Sequence, residues 1–187
     1  ASVSELAPGF EADMIAATDG QGDRAYFRRL AEEAPAAAAW TEAHGVRFHS
    51  PGYYLSVGPP RIQPVGGGAA IVDVLARAAE AAGVKIHYAC RAVSLLRTNG
   101  AIEGVVAQTG EGAMREFRAS AVVLATGGFQ GNPSMLREQF GPGGESLRPI
   151  SPGSALNDGA GIRMACDAGA SVAGEWDGMH SEPVDAR

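Results

Sequence analysis

The run from Ala121 to Pro133 constrains the fold of this chain more than any other stretch. Its apolar, β-branched start is too short for a helix and stops at Gly127 and Gly128, which predicts a buried parallel strand over 121–125. Asn132 then caps a helix that Pro133 starts. Open α/β sheets bind ligands at the carboxyl ends of their strands, so the glycines indicate a close approach of a ligand to the backbone. An ordinary strand-to-loop turn explains the same residues equally well.

Composition and charge exclude several classes of function. The formal net charge is -6 and no cluster of Lys and Arg is present, which argues against a nucleic-acid partner. Cys90 and Cys166 match neither a metal-ligand nor a redox spacing, so no metal site is expected. No apolar run approaches the roughly 18 residues of a membrane span, and a signal peptide is not evident. We therefore expect a soluble, cytoplasmic protein.

The order of elements predicts an α/β layout with an inserted antiparallel β-meander. Residues 1–22 are expected to be irregular, and Asp23 to cap a helix that Pro35 kinks or divides. Residues 46–68 are expected to form a long ordered loop or a set of short extended pieces, followed by a helix over 69–82. The predicted strands before 121–125 are 84–88, 92–97, 102–108 and 113–118, the last three forming the meander.

A second glycine-containing segment follows the loop over 141–153. Asn157 or Asp158 caps a helix that Gly169 ends, and Ile162, Ala165 and Cys166 are expected on its inner face. Glycines near the start of this helix allow a ligand or a strand to come close.

With Ala125-Thr-Gly-Gly-Phe129, Asn157-Asp-Gly-Ala-Gly-Ile-Arg-Met-Ala165 and Gly169-Ala170, the chain resembles the flavoproteins of the fumarate reductase and succinate dehydrogenase family. The resemblance covers roughly Ala25 to the end and is strongest to soluble fumarate reductases, ketosteroid dehydrogenases and tricarballylate dehydrogenases. It implies part of a Rossmann-like FAD-binding domain, with FAD as the cofactor.

One feature of that family is missing from this sequence. The family begins with a GxGxxG unit that holds the FAD pyrophosphate, and no GxGxxG opens a helix after a strand here. The resemblance therefore implies an internal piece of a larger enzyme: an N-terminal segment over 1–22, a partial FAD-binding domain over 23–172, and the start of a substrate cap over 173–187. No catalytic residue is expected within the piece, which is expected to be inactive alone and to bind FAD weakly or not at all.

The resemblance assigns candidate site residues at both ends of the cofactor. Thr126, Gly127 and Gly128 resemble the FAD-contacting loop on the flavin side, and Asn157, Asp158 and Gly159 resemble the Gly-Asp-Gly turn near the flavin. A role as the cap of the following helix explains Asp158 nearly as well as a cofactor contact does. Ala92 and Val93 correspond to the backbone contact with adenine, or are ordinary strand residues.

His180 is the candidate substrate residue. The family carries a histidine in a His-Pro-Thr motif that binds a substrate carboxylate, and here the proline is missing. Histidine near neutral pH donates charged hydrogen bonds to carboxylates.

The implied activity is reduction or dehydrogenation of a carbon-carbon bond in a tricarballylate-like or fumarate/succinate-like acid, with a separate electron-transfer partner. Two alternatives stay open. One is a 3-ketosteroid dehydrogenase, and the other is a non-catalytic module that forms homo-oligomers through exposed sheet edges.

Overall fold

The computed structural model describes residues 3–52 and 62–178. The chain forms two compact units, Ala1–Ile86 and His87–Arg187, of mixed helix and sheet. Each unit is described below by itself.

The first unit contains three helices: α1 (Val3–Ala17), α2 (Arg24–Ala43) and α3 (Gly67–Ala81). Strands β1 (Phe48–His49) and β2 (Gln63–Pro64) form a small antiparallel pair. The Asp23 side chain accepts hydrogen bonds from the first backbone N–H groups of α2, as predicted for a cap. An ion pair at 3.0 Å joins Glu11 of α1 to Arg28 of α2, and Phe27 is buried.

One expectation for the first unit is wrong, and of the two alternatives at Pro35 the division into two helices is wrong. Residues 3–17 form α1 rather than an irregular segment, because this alanine-containing stretch lies against α2 and gains tertiary contacts that Pro8 and Gly9 do not prevent. Helix α2 continues through Pro35 without a break. The predicted helix over 69–82 is confirmed as α3.

The second unit contains the predicted meander. Strands β3 (Cys90–Thr98), β4 (Ala101–Thr109) and β5 (Met114–Arg118) pair antiparallel in the order β3-β4-β5. Asn99 and Gly100 both have positive φ, as a two-residue hairpin turn of this type requires. The sheet is therefore built as the turn residues and alternating apolar residues predict.

Two helices lie beyond the meander: α4 (Pro133–Phe140) and α5 (Ala160–Asp167). Between them are short 3-10 helices at Gly144–Ser146 and Pro152–Leu156. The buried apolar side chains of this unit are Ala107, Leu136 and Met164.

The inner face of α5 differs from the prediction. Gly161 and Met164 are buried, whereas Cys166 is exposed and Ile162 and Ala165 are half-buried. The buried face is centred on Gly161 and Met164, one position earlier in the helix than predicted. The reason is that α5 packs against Thr126 through Gly161.

Two predicted strands are not formed. Residues 84–88 and 121–125 have no regular secondary structure, and Val123 is 88% exposed instead of buried. A strand exists only with a hydrogen-bonded neighbour, and the described part of the chain pairs no segment with either stretch. Residues 84–88 also cross the boundary between the two units.

Within residues 3–52 and 62–178, no helix is both long enough and apolar enough to cross a lipid bilayer.

Candidate functional site

Two glycine-containing segments of the second unit lie side by side. The Gly159 N–H donates to the Gly128 carbonyl at 3.1 Å, and the Gly131 N–H donates to the Asn157 carbonyl at 2.8 Å. We call residues 126–132 and 157–161 together the glycine junction. The structure thus brings together two of the predicted groups of site residues, 126–128 and 157–159, which are about thirty positions apart in the sequence.

Asn132 holds the glycine junction from the start of α4. Its side-chain oxygen accepts hydrogen bonds from the Ser134 and Met135 N–H groups at 3.1 and 3.2 Å, which is the predicted cap. Its side-chain nitrogen donates to the Asp158 carbonyl at 2.8 Å. One side chain therefore caps α4 and fixes the second segment. The second of these roles has no signal in the local sequence.

Glycine is required at the closest approaches within the junction. Gly127 has a φ of 71°, and a Cβ there would lie 2.8 Å from the Asn157 side-chain amide. A Cβ at Gly161 would collide with the Thr126 hydroxyl. Thr126 and Gly127 are nonetheless exposed, whereas Gly159 is buried and a Cβ there would collide with Met135 and Phe129. The junction therefore presents bare backbone to solvent over a tightly packed base.

Asp158 is the electrostatic centre of the junction. Its carboxylate accepts a hydrogen bond from the Ala160 N–H at 2.9 Å and forms an ion pair with Arg91 of β3. Arg163 lies 4.0 Å from the same carboxylate and donates to the Asp158 carbonyl at 2.9 Å. Desolvation of this half-buried carboxyl opposes its ionisation, but the Ala160 hydrogen bond and the two guanidinium groups outweigh it and lower the pKa of Asp158. The prediction that Asn157 or Asp158 is the cap is wrong, because the N-cap of α5 is Gly159, which makes no side-chain cap hydrogen bond. The Asp158 carboxylate instead accepts from the N–H of Ala160, the first residue of α5, and contacts a distant strand.

Strand β3 holds α5 at both ends through two arginines. Arg91 pairs with Asp158 just before α5 begins, and Arg97 donates to the carbonyl of Asp167, the last residue of the helix, at 3.2 Å. A guanidinium at the carboxyl end also suits the helix dipole. Sequence reasoning missed Arg91 and Arg97, because contacts between residues 67 and 70 positions apart leave no local pattern.

Ala92 and Val93 directly follow Arg91 on β3. The register between β3 and β4 shifts between Ala92 and Ser94, so Val93 is the additional residue of a β-bulge and has no Cα partner on β4. Val93 is 40% exposed. The bulge leaves the backbone of Val93 outside the regular ladder. Val93 lies two residues after Arg91, which pairs with Asp158.

An aromatic stack lies beside the first segment of the junction. The Phe129 and Trp176 rings are 5.8 Å apart between centroids and inclined by 13°, and the Trp176 indole N–H donates to the Ala173 carbonyl at 3.1 Å. Phe129 and Trp176 are 47 positions apart, and no local pattern indicates that they pair. The predicted substrate residue His180 lies outside the described residues.

No group of three or more His, Cys, Asp or Glu side chains within the described ranges is arranged to hold a metal ion.

Comparison with protein families identifies the chain. The profile of the family described as FAD binding domain matches residues 10–180. A vinyl phenol reductase from Lactiplantibacillus plantarum is 29% identical over 82% of this chain and 31% of that protein. An L-aspartate oxidase from Caulobacter vibrioides is 33% identical over 93% of this chain and 34% of that protein. The chain thus spans about a third of the length of these curated relatives.

Two solved structures are similar in fold. The open conformation of a flavocytochrome c3 fumarate reductase superposes with a TM-score of 0.72 at 25% identity, covering 88% of this chain and 30% of that one. A 3-ketosteroid-Δ4-(5α)-dehydrogenase from Rhodococcus jostii RHA1, in complex with 4-androstene-3,17-dione, gives a TM-score of 0.71 at 25% identity, covering 88% and 41%. The chain therefore belongs to the FAD-binding domain family, whose cofactor is FAD, and it is fumarate reductase-like within that family.

Proposed function

We propose that the protein containing this chain is an FAD-dependent oxidoreductase that reduces or dehydrogenates a carbon-carbon bond in a carboxylic acid, tricarballylate-like or fumarate/succinate-like. The observation that carries the proposal is the glycine junction, where the Gly159 N–H donates to the Gly128 carbonyl and the neighbouring Thr126 and Gly127 are exposed. A similar flavocytochrome c3 fumarate reductase structure supports the choice of reaction. We further propose that residues 23–172 belong to a Rossmann-like FAD-binding domain and that 173–187 lead into the substrate cap.

The residues of the junction fit a flavin cofactor. Gly127 and Gly128 carry no side chain, so the edge of a planar ring system has access to backbone groups there. Replacing Gly127 by any residue with a Cβ would push it against Asn157. On this proposal Thr126, Gly127, Gly128, Asn157, Asp158 and Gly159 hold the flavin side of FAD, and Ala92 and Val93 hold the adenine side at the β-bulge.

Within this proposal the protein residues bind and orient. FAD, when bound, supplies hydride exchange with a substrate carbon. Asn132 fixes the Asp158 carbonyl and so the path of the turn that faces the cofactor. His180 binds the substrate carboxylate through a charge-assisted hydrogen bond. We assign no proton-transferring residue to this chain, and we propose a separate protein as electron-transfer partner.

A 3-ketosteroid substrate is the second candidate, and a specific observation favours it. The similar Rhodococcus dehydrogenase structure contains 4-androstene-3,17-dione and matches this chain as well as the fumarate reductase does. A non-catalytic assembly module is less well supported. The edge strand β5 carries Arg115, Glu116 and Arg118, and charged side chains discourage the addition of a further strand.

The test begins with the protein that contains this chain, purified and examined for flavin absorbance in visible light. After anaerobic reduction, fumarate, the unsaturated precursor of tricarballylate and a 3-ketosteroid are added separately. We expect one of the two carboxylates to reoxidise the flavin fastest. Fastest reoxidation by the steroid would move the assignment to the second candidate, and a protein without flavin would overturn the proposal.

Two variants and one control test whether the proposed site residues bind the flavin and the substrate. Gly127→Val is expected to abolish flavin retention, whereas Gly153→Ala, where a Cβ meets only the Ser151 hydroxyl at 4.0 Å, leaves it unchanged. His180→Gln is expected to raise the KM for the carboxylate with little change in flavin content. We also propose that the 187-residue chain alone binds FAD weakly, because its sequence has no GxGxxG phosphate loop.

A further inference from the structure

Arg91 and Arg97 set α5 along β3 in a defined register. Because the first pairs at the start of the helix and the second at its end, the strand and the helix run in the same direction. The six residue steps of strand from Arg91 to Arg97 span about 20 Å, and the seven steps of helix from Ala160 to Asp167 rise about 10 Å. The arginine side chains are long enough to span the difference between the length of the strand and that of the helix. Sliding α5 along β3 would break one of the two contacts.

Several hydrogen bonds hold Asp158, the acceptor of the Arg91–Asp158 pair, as they also hold Glu145, whose carboxylate accepts from the Gly143 N–H and whose carbonyl accepts from Arg148. The Asp158 carbonyl accepts from both Asn132 and Arg163, and its carboxylate accepts from Ala160. The Asp158 side chain is 27% exposed, whereas Glu145, which pairs with Arg137 on the surface, is 37% exposed. A fixed carboxylate removes much of the entropic cost that makes exposed ion pairs weak. Arg91 therefore fixes β3 to the glycine junction itself.

The residue that follows Arg91 begins the second half of the proposed cofactor site. Ala92 and Val93, proposed to hold adenine, adjoin Arg91 in the chain, and Asn157 and Gly159, proposed to hold the flavin, flank Asp158. A single ion pair thus connects the two protein segments that would hold opposite ends of one long ligand.

We propose that Arg91 is a positioning residue for FAD: through Asp158 it fixes the separation between the β-bulge at Ala92–Val93 and the turn at Asn157–Gly159. The inference rests on the proposed function, since it assumes FAD in this site. Arg91 acts on the protein segments and not on the cofactor atoms. Its contribution is therefore specific to a ligand long enough to engage both segments.

The test compares Arg91→Met with Arg97→Met in the protein that contains this chain. Both changes remove one arginine contact between β3 and α5, but only the first releases the junction. The Arg91 side chain is 63% exposed, so solvent screens its ion pair, and we expect Arg91→Met to raise the Kd for FAD about three- to fivefold. We expect Arg97→Met to change it less than twofold, and Arg91→Lys to restore most of the affinity.

ADP and FMN, the two parts of FAD, distinguish a positioning role of Arg91 from a direct contact of Arg91 with the cofactor. ADP and FMN each engage one end of the site. The inhibition constants with which ADP and FMN compete against FAD should therefore be the same in Arg91→Met as in the wild type. Weaker ADP binding in the variant would make Arg91 a direct adenine-side contact and overturn the proposal. Equal losses for all three ligands, together with a lower Tm, would reduce Arg91 to a structural role and also overturn it.

A double-mutant cycle checks that Arg91 acts through Asp158. Asp158→Asn keeps the oxygen that accepts from Ala160 and removes the charge. Because Asp158 is itself proposed to hold the flavin side, we expect the loss of FAD affinity in the double variant Arg91→Met with Asp158→Asn to be smaller than the sum of the two single losses. Fully additive losses would contradict the inference. Wild-type protein that retains no FAD would refute the proposed function itself. Wild-type protein that retains FAD while Arg91→Met behaves like Arg97→Met would refute only this inference.

Discussion

Asn132 uses its whole side-chain amide to join α4 to Asp158. The oxygen caps α4 and the nitrogen donates to the Asp158 carbonyl at 2.8 Å. The helix cap and the fixed turn are therefore one structural feature rather than two. Cap residues are commonly interchanged among Asn, Asp and Ser, and here that interchange has an additional cost.

The first prediction separates the two roles of Asn132. Asn132→Asp retains an acceptor for the Ser134 and Met135 N–H groups but places a carboxylate against the Asp158 carbonyl. We expect Asn132→Asp to destabilise the fold by about 1–3 kcal/mol, the cost of one unsatisfied or opposed buried hydrogen-bonding group. Urea unfolding followed by circular dichroism measures the loss. The control is Asp23→Asn, a cap exchange on α2 whose side chain makes only the cap hydrogen bonds. An equal loss in both variants would contradict the second role of Asn132.

The second prediction concerns the contact between Gly161 and Thr126. A Cβ at position 161 collides with the Thr126 hydroxyl, so Gly161→Ala should destabilise the fold by about 1–3 kcal/mol. Thr126→Gly introduced with it removes the obstructing side chain and should recover part of the loss. The control is Gly68→Ala in α3, where a Cβ meets nothing within 4 Å; it should be neutral or stabilising by up to about 1 kcal/mol. A neutral Gly161→Ala variant would show that the two segments are not packed as described.

The third prediction is a pH dependence of stability from Asp158. Its pKa is lowered in the folded chain, mainly because the Ala160 hydrogen bond and the Arg91 and Arg163 charges outweigh the opposing desolvation. Its contribution is complete above the ordinary pKa of 3.8, falls as the pH drops below that value, and is lost once the pH passes the lowered folded pKa. Asp158→Asn should therefore reduce the decline in unfolding free energy below about pH 4. Asp73→Asn, an exposed change on α3, serves as control. Identical acid profiles for wild type and Asp158→Asn would contradict the lowered pKa.

The fourth prediction uses the stack of Phe129 on Trp176. Phe129→Leu removes the ring partner, and we expect a loss of about 0.5–1.5 kcal/mol beyond the change in buried area. Fluorescence detects the same change locally. In a Trp40→Phe background Trp176 is the remaining tryptophan, and its emission should shift to longer wavelength when Phe129 is replaced. Tyr26→Leu, a change at an exposed aromatic residue of α2, should leave the emission unchanged. No shift with Phe129→Leu would exclude the stack.

The sequence predicts the elements that are specified by nearby residues. The meander follows from Asn99-Gly100 and alternating strands, α3 from its apolar spacing, and α4 from Asn132 and Pro133. The resemblance to flavoproteins is confirmed by the family match over residues 10–180. The individual roles of the predicted cofactor residues and of His180 remain predictions.

The errors arise where structure depends on distant partners. The stretch 121–125 has the composition of a buried strand, but a strand also needs a neighbouring strand, which composition does not supply. The Arg91–Asp158 pair joins residues 67 positions apart, so the local sequence, which points to Asp158 alone, carries no signal of the pairing. Helix α1 forms against α2 despite Pro8 and Gly9, which shows tertiary contacts prevailing over local propensity.

The two arginines that hold α5 also fix its length. Inserting one residue in the helix would move everything beyond it by about 1.5 Å and rotate it by about 100°. The Asp167 carbonyl would then turn away from Arg97, or Asp158 away from Arg91. Insertions and deletions between residues 160 and 167 should therefore be far less tolerated in related chains than substitutions on the exposed face of the same helix.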